Sequence, residues 1–217
     1  MSEFLDVFRR PDFIPLLVTH IELSVVALLL GVLIALPVAL AVNRSPTLSA
    51  IAINIGNIGR AVPSLALLAL AFPLLGFGFA TSLVALTALA IPPILINAST
   101  GLRQVSPQVM DAAKGMGLSG AQILGRIQVP IAAPIIFAGI RTSAVQVVAS
   151  ATLATFVGGG ALGQLIVLGF QRNQPAIQIA GALAVAVLAI ITELLFGFLE
   201  RAFTPKGLRV ARKRRGK

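Results

Sequence analysis

The run from Ala61 to Leu102, AVPSLALLALAFPLLGFGFATSLVALTALAIPPILINASTGL, holds no charged residue. A bilayer core about 30 Å thick is crossed by roughly 20 apolar residues in a helix rising about 1.5 Å per residue. The run is too long for one crossing and long enough for two. Gly76-Phe77-Gly78 is the natural turn between them. We divide the run into a helix that ends near Leu75 and another from about Phe79 to Gly101. The first begins upstream, near Ala50, since Ile51 to Ile58 is apolar apart from Asn54 and Asn57. Pro63, Pro73, Pro92 and Pro93 read as kinks and span ends, tolerated where neighbouring helices satisfy the freed backbone groups.

Working outward, Leu23 to Asn43 is uncharged and joins Leu16 to His20 in one long helix. Thr142 to Gln171 and Asn173 to Thr192 give a fourth span from about Pro134 to Val157 and a fifth from about Ile177 to Leu199. The expected fold is all-α: a single polytopic membrane domain over residues 1–217 with about five transmembrane helices, six being the even-numbered alternative. Composition agrees. Of 217 residues 57% are hydrophobic and 11% charged, against about 25% charged in soluble domains. A soluble enzyme, a disordered chain and a simple nucleic-acid-binding domain are excluded together. With no cysteine, one histidine (His20) and seven carboxylates, no metal site or cofactor is expected. The amino terminus, with Arg9 and Arg10 interleaved with Asp6 and Asp12, does not read as a cleavable signal. No internal repeat of the kind that builds many secondary transporters is visible.

Charge fixes an expected orientation. Eight of the 17 Lys+Arg lie between Arg201 and Lys217. With Arg44, Arg103, Lys114 and Arg126 they place twelve cations on one side of a five-span chain. Arg9, Arg10 and Arg172 make three on the other. Cytoplasmic loops are the cationic ones, which puts the carboxyl terminus inside and the amino terminus outside. The basic tail 201–217 reads as an anchor on anionic lipid rather than a nucleic-acid site, having no aromatic residue beyond Phe203.

The loop from Leu102 to Val129 is too long for a plain connector. Ser106 can cap a first short helix with Pro107 at its first position, and Gly115 and Gly117 stop it. Ser119 with Gln122 forms a capping box for a second, which Pro130 limits. Val109, Ala112, Ala113 and Met116 share an apolar face beside Asp111. Such a pair is either an interfacial hairpin or a knob for a partner's groove.

Asp111-Ala112-Ala113, Gly117, Ile127 and Pro130 resemble, at matching spacing, the Glu-Ala-Ala loop of permease subunits of bacterial ABC importers. Asp stands for Glu at 111, and Val129 for the usual Leu before Pro130. Arg60-Ala-Val-Pro63-Ser64, Ala138-Gly-Ile-Arg141-Thr-Ser-Ala144 and Gly158-Gly-Gly-Ala-Leu-Gly163 are similar to the osmoprotectant branch (glycine betaine, carnitine, choline), with Ala161 where that branch has glycine. The resemblance implies a fold similar to the methionine importer permease and a cytoplasmic 102–130 loop that couples to a separate ATPase. Asp111, Ala112, Ala113, Met116, Gly117, Leu118, Ile127 and Pro130 would make that contact. It also implies a second permease subunit, an extracytoplasmic binding protein, a location in the prokaryotic inner membrane and no enzymatic activity in this chain. A methionine or other amino-acid importer is the alternative; a stand-alone channel or transporter is a further one.

Arg60, Pro63, Ser64, Arg141, Gly158, Gly160 and Gly163 are the candidates for pathway or gating positions. Snorkelling competes with a pathway role for Arg60 and Arg141. For Gly158 to Gly160, a flexible turn competes with a close backbone approach. Glu193 is expected at the inner interface in water. The chain has no Trp and no Tyr for a cation–π cage, so high-affinity selection of a quaternary ammonium solute is expected on the separate binding protein.

Overall fold

The computed structural model describes residues 2–203, and all of their regular structure is helical. In order these helices are α1 (Ser2–Val7), α2 (Phe13–Val42), α3 (Pro46–Ala61), α4 (Ser64–Leu75), α5 (Phe79–Arg103), α6 (Pro107–Gly115), α7 (Gly120–Ile123), α8 (Val129–Ser150), α9 (Gly163–Gln171) and α10 (Pro175–Phe203). A π-helical turn, Leu124–Gln128, joins α7 to α8, and a 3-10 segment, Ala151–Val157, extends α8. Most of the basic tail lies outside the described residues.

Among the described residues four helical runs are long and apolar enough to cross a membrane, and α3 with α4 makes a fifth if the bent pair counts as one. The count of crossings is thus four or five against the five expected, and the second is not the straight helix expected from about Ala50 to Leu75. It starts earlier and turns through 91° between α3 and α4. Proline is the cause. Pro63 has no N–H to give the helix, and its ring drives the preceding residue out of helical geometry, leaving Val62 extended at φ −72°, ψ 124°. Pro92 and Pro93 behave differently and leave α5 unbroken.

Helix α5 is the central element. Of its most apolar stretch 61% is buried, against 6% for α10. Small residues let its neighbours approach: a Cβ on Gly31 of α2 would lie 2.5 Å from the Ala90 Cβ. One on Gly139 of α8 would lie 2.9 Å from the Pro93 carbonyl oxygen. Lipid offers no hydrophobic drive for helix association, so van der Waals contact between close backbones must supply it. A hydrogen bond adds to it where Ser143 Oγ donates to the Ala90 carbonyl at 2.9 Å.

Two ends of the bundle can be told apart. At one, Asn43 at the close of α2 donates to Gln128 Oε1 (3.1 Å), and Arg103 at the close of α5 reaches the Pro46 carbonyl (3.4 Å). This end carries α6 and α7. At the other, the Gly76–Gly78 turn donates its Gly78 N–H to the Val157 carbonyl at 2.6 Å. Helix α9 was not legible as a separate element, because Gln164 to Gln171 continues an uncharged run. Its nine residues are too short to cross, and it packs on α10.

Candidate functional site

The 102–130 segment builds a hairpin from its own caps. Ser106 Oγ accepts the Val109 N–H, and Pro107 occupies the first turn of α6. The helix closes on a Schellman stop: Leu118 N–H donates to the Ala113 carbonyl (3.2 Å) and Gly117 N–H to that of Lys114 (2.9 Å). That geometry holds Gly117 at φ +76°, where a side chain would be strained. Gly117 is therefore the stop; Gly115, expected to share that task, is the last helical residue of α6. Ser119 and Gln122 form the reciprocal capping box of α7 at 2.8 and 3.3 Å.

Pro130 does not limit the second helix as expected. The chain runs from α7 through the π turn into α8 as one continuous helical stretch, Gly120–Val157. Proline lacks the N–H for the carbonyl four residues back and crowds it. The wider turn answers this, with Val129 N–H donating to the Leu124 carbonyl. As a result the hairpin is an extension of α8, not a separate attachment.

Asp111, Ala112, Met116 and Gly117 are exposed at the tip, while Ala113 is fully buried beneath them. Met116, the residue that caps α6, is 72% exposed. Leu118, Ile127 and Pro130 are half-buried and belong to the stalk. The ion pair at the tip, Asp111 to Lys114 at 3.7 Å, is solvent-exposed and contributes little to the fold.

The other candidates do not converge on one place. Arg60, Pro63 and Ser64 stand at the α3–α4 bend, where Arg60 is exposed. Arg141 does not lie alone: it pairs with Glu193 and, at 3.1 Å, with Glu200, both on α10. Glu193, expected in water at the inner interface, thus has a partner within the protein while its side chain stays 43% exposed.

Gly158, Gly160 and Gly163 gather at the end opposite the hairpin. There His20, not anticipated as functional, ties three elements. Its Nε2 hydrogen-bonds the Val148 carbonyl at 2.9 Å and its Nδ1 accepts the Leu162 N–H at 3.4 Å. Those partners require the tautomer protonated on Nε2. Gly163 packs closely, since a Cβ there would sit 1.9 Å from the Thr152 carbonyl oxygen.

Ala161 adopts φ +77° and is fully buried. For an L-residue this region costs roughly 1–2 kcal/mol, part of which glycine would return as unfolded-chain entropy. Ala161→Gly is therefore expected to raise the detergent-solubilised melting temperature by about 1–3 °C, read by a thermal unfolding scan.

Residues 13–205 match the family model described as "Binding-protein-dependent transport system inner membrane component". The glycine betaine/carnitine/choline transport system permease protein OpuCB of Bacillus subtilis (strain 168) is 40% identical over 189 residues, 87% of each chain. The choline transport system permease protein OpuBB of the same organism is 41% identical over the same share of each. The fold is that of a solved chain of the MetNI methionine ABC transporter in inward-facing form, with a TM-score of 0.76 and 23% identity. The match covers 90% of this chain and 100% of that one.

Proposed function

The chain belongs to the family of binding-protein-dependent transport system inner membrane components, and on that premise we propose that it is the permease subunit of an ATP-driven importer of small quaternary-amine compatible solutes. Glycine betaine, choline and carnitine are the solutes named for its relatives. The observation that carries the reading is the extent of those likenesses, 40% and 41% identity over 87% of the chain. The likeness to the methionine transporter is one of fold alone and assigns no solute.

The chain hydrolyses nothing in this reading. A separate ATPase docks on the exposed α6 tip, and a second permease subunit completes the path through the membrane. An extracytoplasmic binding protein delivers solute at the end where Gly158 and Gly160 lie. The hairpin end faces the cytoplasm in this reading, which the excess of Lys and Arg in its loops supports. Closure of the ATPase dimer pushes the hairpin, and because α7, the π turn and α8 form one continuous stretch, α8 moves with it. The two permease subunits then pass from inward-open to outward-open.

Asp111→Lys tests the docking. The carboxylate is exposed, so the substitution leaves the fold intact while reversing the charge at the tip. The wild-type chain, purified in gentle detergent, is expected to bring down an ATPase chain. The variant, at equal abundance in the membrane, is expected to lose most of it. Equal recovery with both chains would remove Asp111 from the contact. No ATPase with the wild type, where other membrane complexes survive, would sink the importer reading.

A further inference from the structure

Helix α3 has three faces. Ser49, Ala52 and Gly56 turn inward, with Gly56 close against Ile96 of α5. Leu48, Ile51, Ile55 and Ile58 form an exposed apolar face, 48–69% accessible, suited to lipid. Asn54, Asn57 and Arg60, three residues apart and all exposed, wind from beside the apolar face to the line of Gly56. Among the described residues none hydrogen-bonds to these side chains or pairs with Arg60, whereas Arg141 has two carboxylates. Arg60 lies in the last turn of α3 at the bend, next to Gly59, where a Cβ would lie 3.0 Å from Pro92 Cγ in the middle of α5. A cation at such depth is costly unless it faces a water-filled cavity or a partner. The same holds, less strongly, for the two amides.

We propose that Arg60, with Asn54 and Asn57, forms a carboxylate-receiving stripe along the solute path, so that the permease itself favours carboxylate-bearing zwitterions such as glycine betaine over a bare cation such as choline. This rests on the importer reading above. Its chemistry is local. Arg60 presents a fork of N–H donors that matches a carboxylate, and the Asn amides add further donors. No Asp or Glu occurs anywhere between Pro46 and Leu75 to offset the positive charge. A quaternary ammonium without a carboxylate meets repulsion there; a zwitterion can turn its carboxylate toward Arg60.

The test uses the complete transporter, with its ATPase, second permease and binding protein, in liposomes, with uptake of glycine betaine and of choline measured in parallel. Arg60→Gln is expected to lower the betaine-to-choline uptake ratio about tenfold, because the charge-assisted fork is lost, and Arg60→Lys to keep part of the preference. A ratio unchanged by Arg60→Gln overturns the inference. If neither solute is carried by the wild type, the proposed solute class falls instead.

A second measurement stands apart from transport. The chain has no cysteine, so Asn57→Cys supplies a single thiol for an anionic and a cationic methanethiosulfonate reagent. The anionic-to-cationic rate ratio is expected to drop several-fold when Arg60→Gln is added. An unreactive thiol, or a ratio indifferent to Arg60, places the stripe away from the path and overturns the inference.

Discussion

Replacing Arg141 with methionine is expected to cut the amount of folded chain in the membrane several-fold, and adding Glu193→Gln and Glu200→Gln to restore much of it. The reason lies in one face of α10. Glu193, Gly197 and Glu200 recur at four and three residues and so line up along the helix. The Arg141 guanidinium lies over Gly197, where a Cβ would be 3.5 Å from its Cζ, and reaches a carboxylate on either side. Removing the cation leaves Glu193 without it and takes one partner from Glu200. A carboxylate at the centre of a membrane helix costs roughly 2.5–3.5 kcal/mol on insertion scales. The side chains of Arg141 and Glu193 are 35% and 43% exposed, so water or headgroups that reach them would reduce that cost. Methionine keeps most of the arginine stem, which makes the loss one of charge. Immunoblots of membrane fractions, with size-exclusion chromatography of the solubilised chain, measure it. Failure of the glutamine pair to rescue would assign the defect to packing.

Much of this fold could be read from charge-free runs because lipid imposes a simple rule. Every backbone polar group must be satisfied within the segment, so a run of apolar residues becomes a helix. The long helices α2, α5 and α10 obey that rule, and Phe79 was placed correctly as the start of α5. The hairpin caps were legible for a different reason: Ser106, Pro107, Ser119 and Gln122 act on their own neighbours and need no tertiary partner. What could not be read depended on geometry beyond a few residues. Pro63 broke its helix completely while Pro92 and Pro93 did not, although the local rule is the same. In α5 the surrounding helices bury both prolines, and the helix continues through them. The Arg141 pairs were hidden because their partners lie 52 and 59 residues away. His20 was hidden likewise, its bonds closing over 128 and 142 residues.

Gly163→Ala is expected to have the other large effect: little or no folded chain, where Gly160→Ala is only weakened. Both residues belong to the glycine-rich stretch that resembles the osmoprotectant branch, but their surroundings differ. At Gly160 the backbone sits at φ +77° and the nearest obstacle is Thr19 Cγ2 at 3.3 Å, a side chain that can give way. Its cost is the left-handed conformation, roughly 1–2 kcal/mol. At Gly163 a Cβ would meet the Thr152 carbonyl oxygen at 1.9 Å and the Thr152 Cα at 2.9 Å. These are backbone atoms and have no rotamer to escape into. The 3-10 segment that contains them also holds the Gly76–Gly78 turn through the Gly78 to Val157 hydrogen bond. A shift of Thr152 would therefore disturb the ends of α4, α5 and α8 together. Ordinary overpacking costs about 1–3 kcal/mol, and a contact this short against fixed backbone lies at or above that range. Membrane abundance and thermal unfolding of the two variants give the comparison. If Gly163→Ala instead inserts and melts like the wild type but carries no solute, this close approach belongs to the path rather than to the packing.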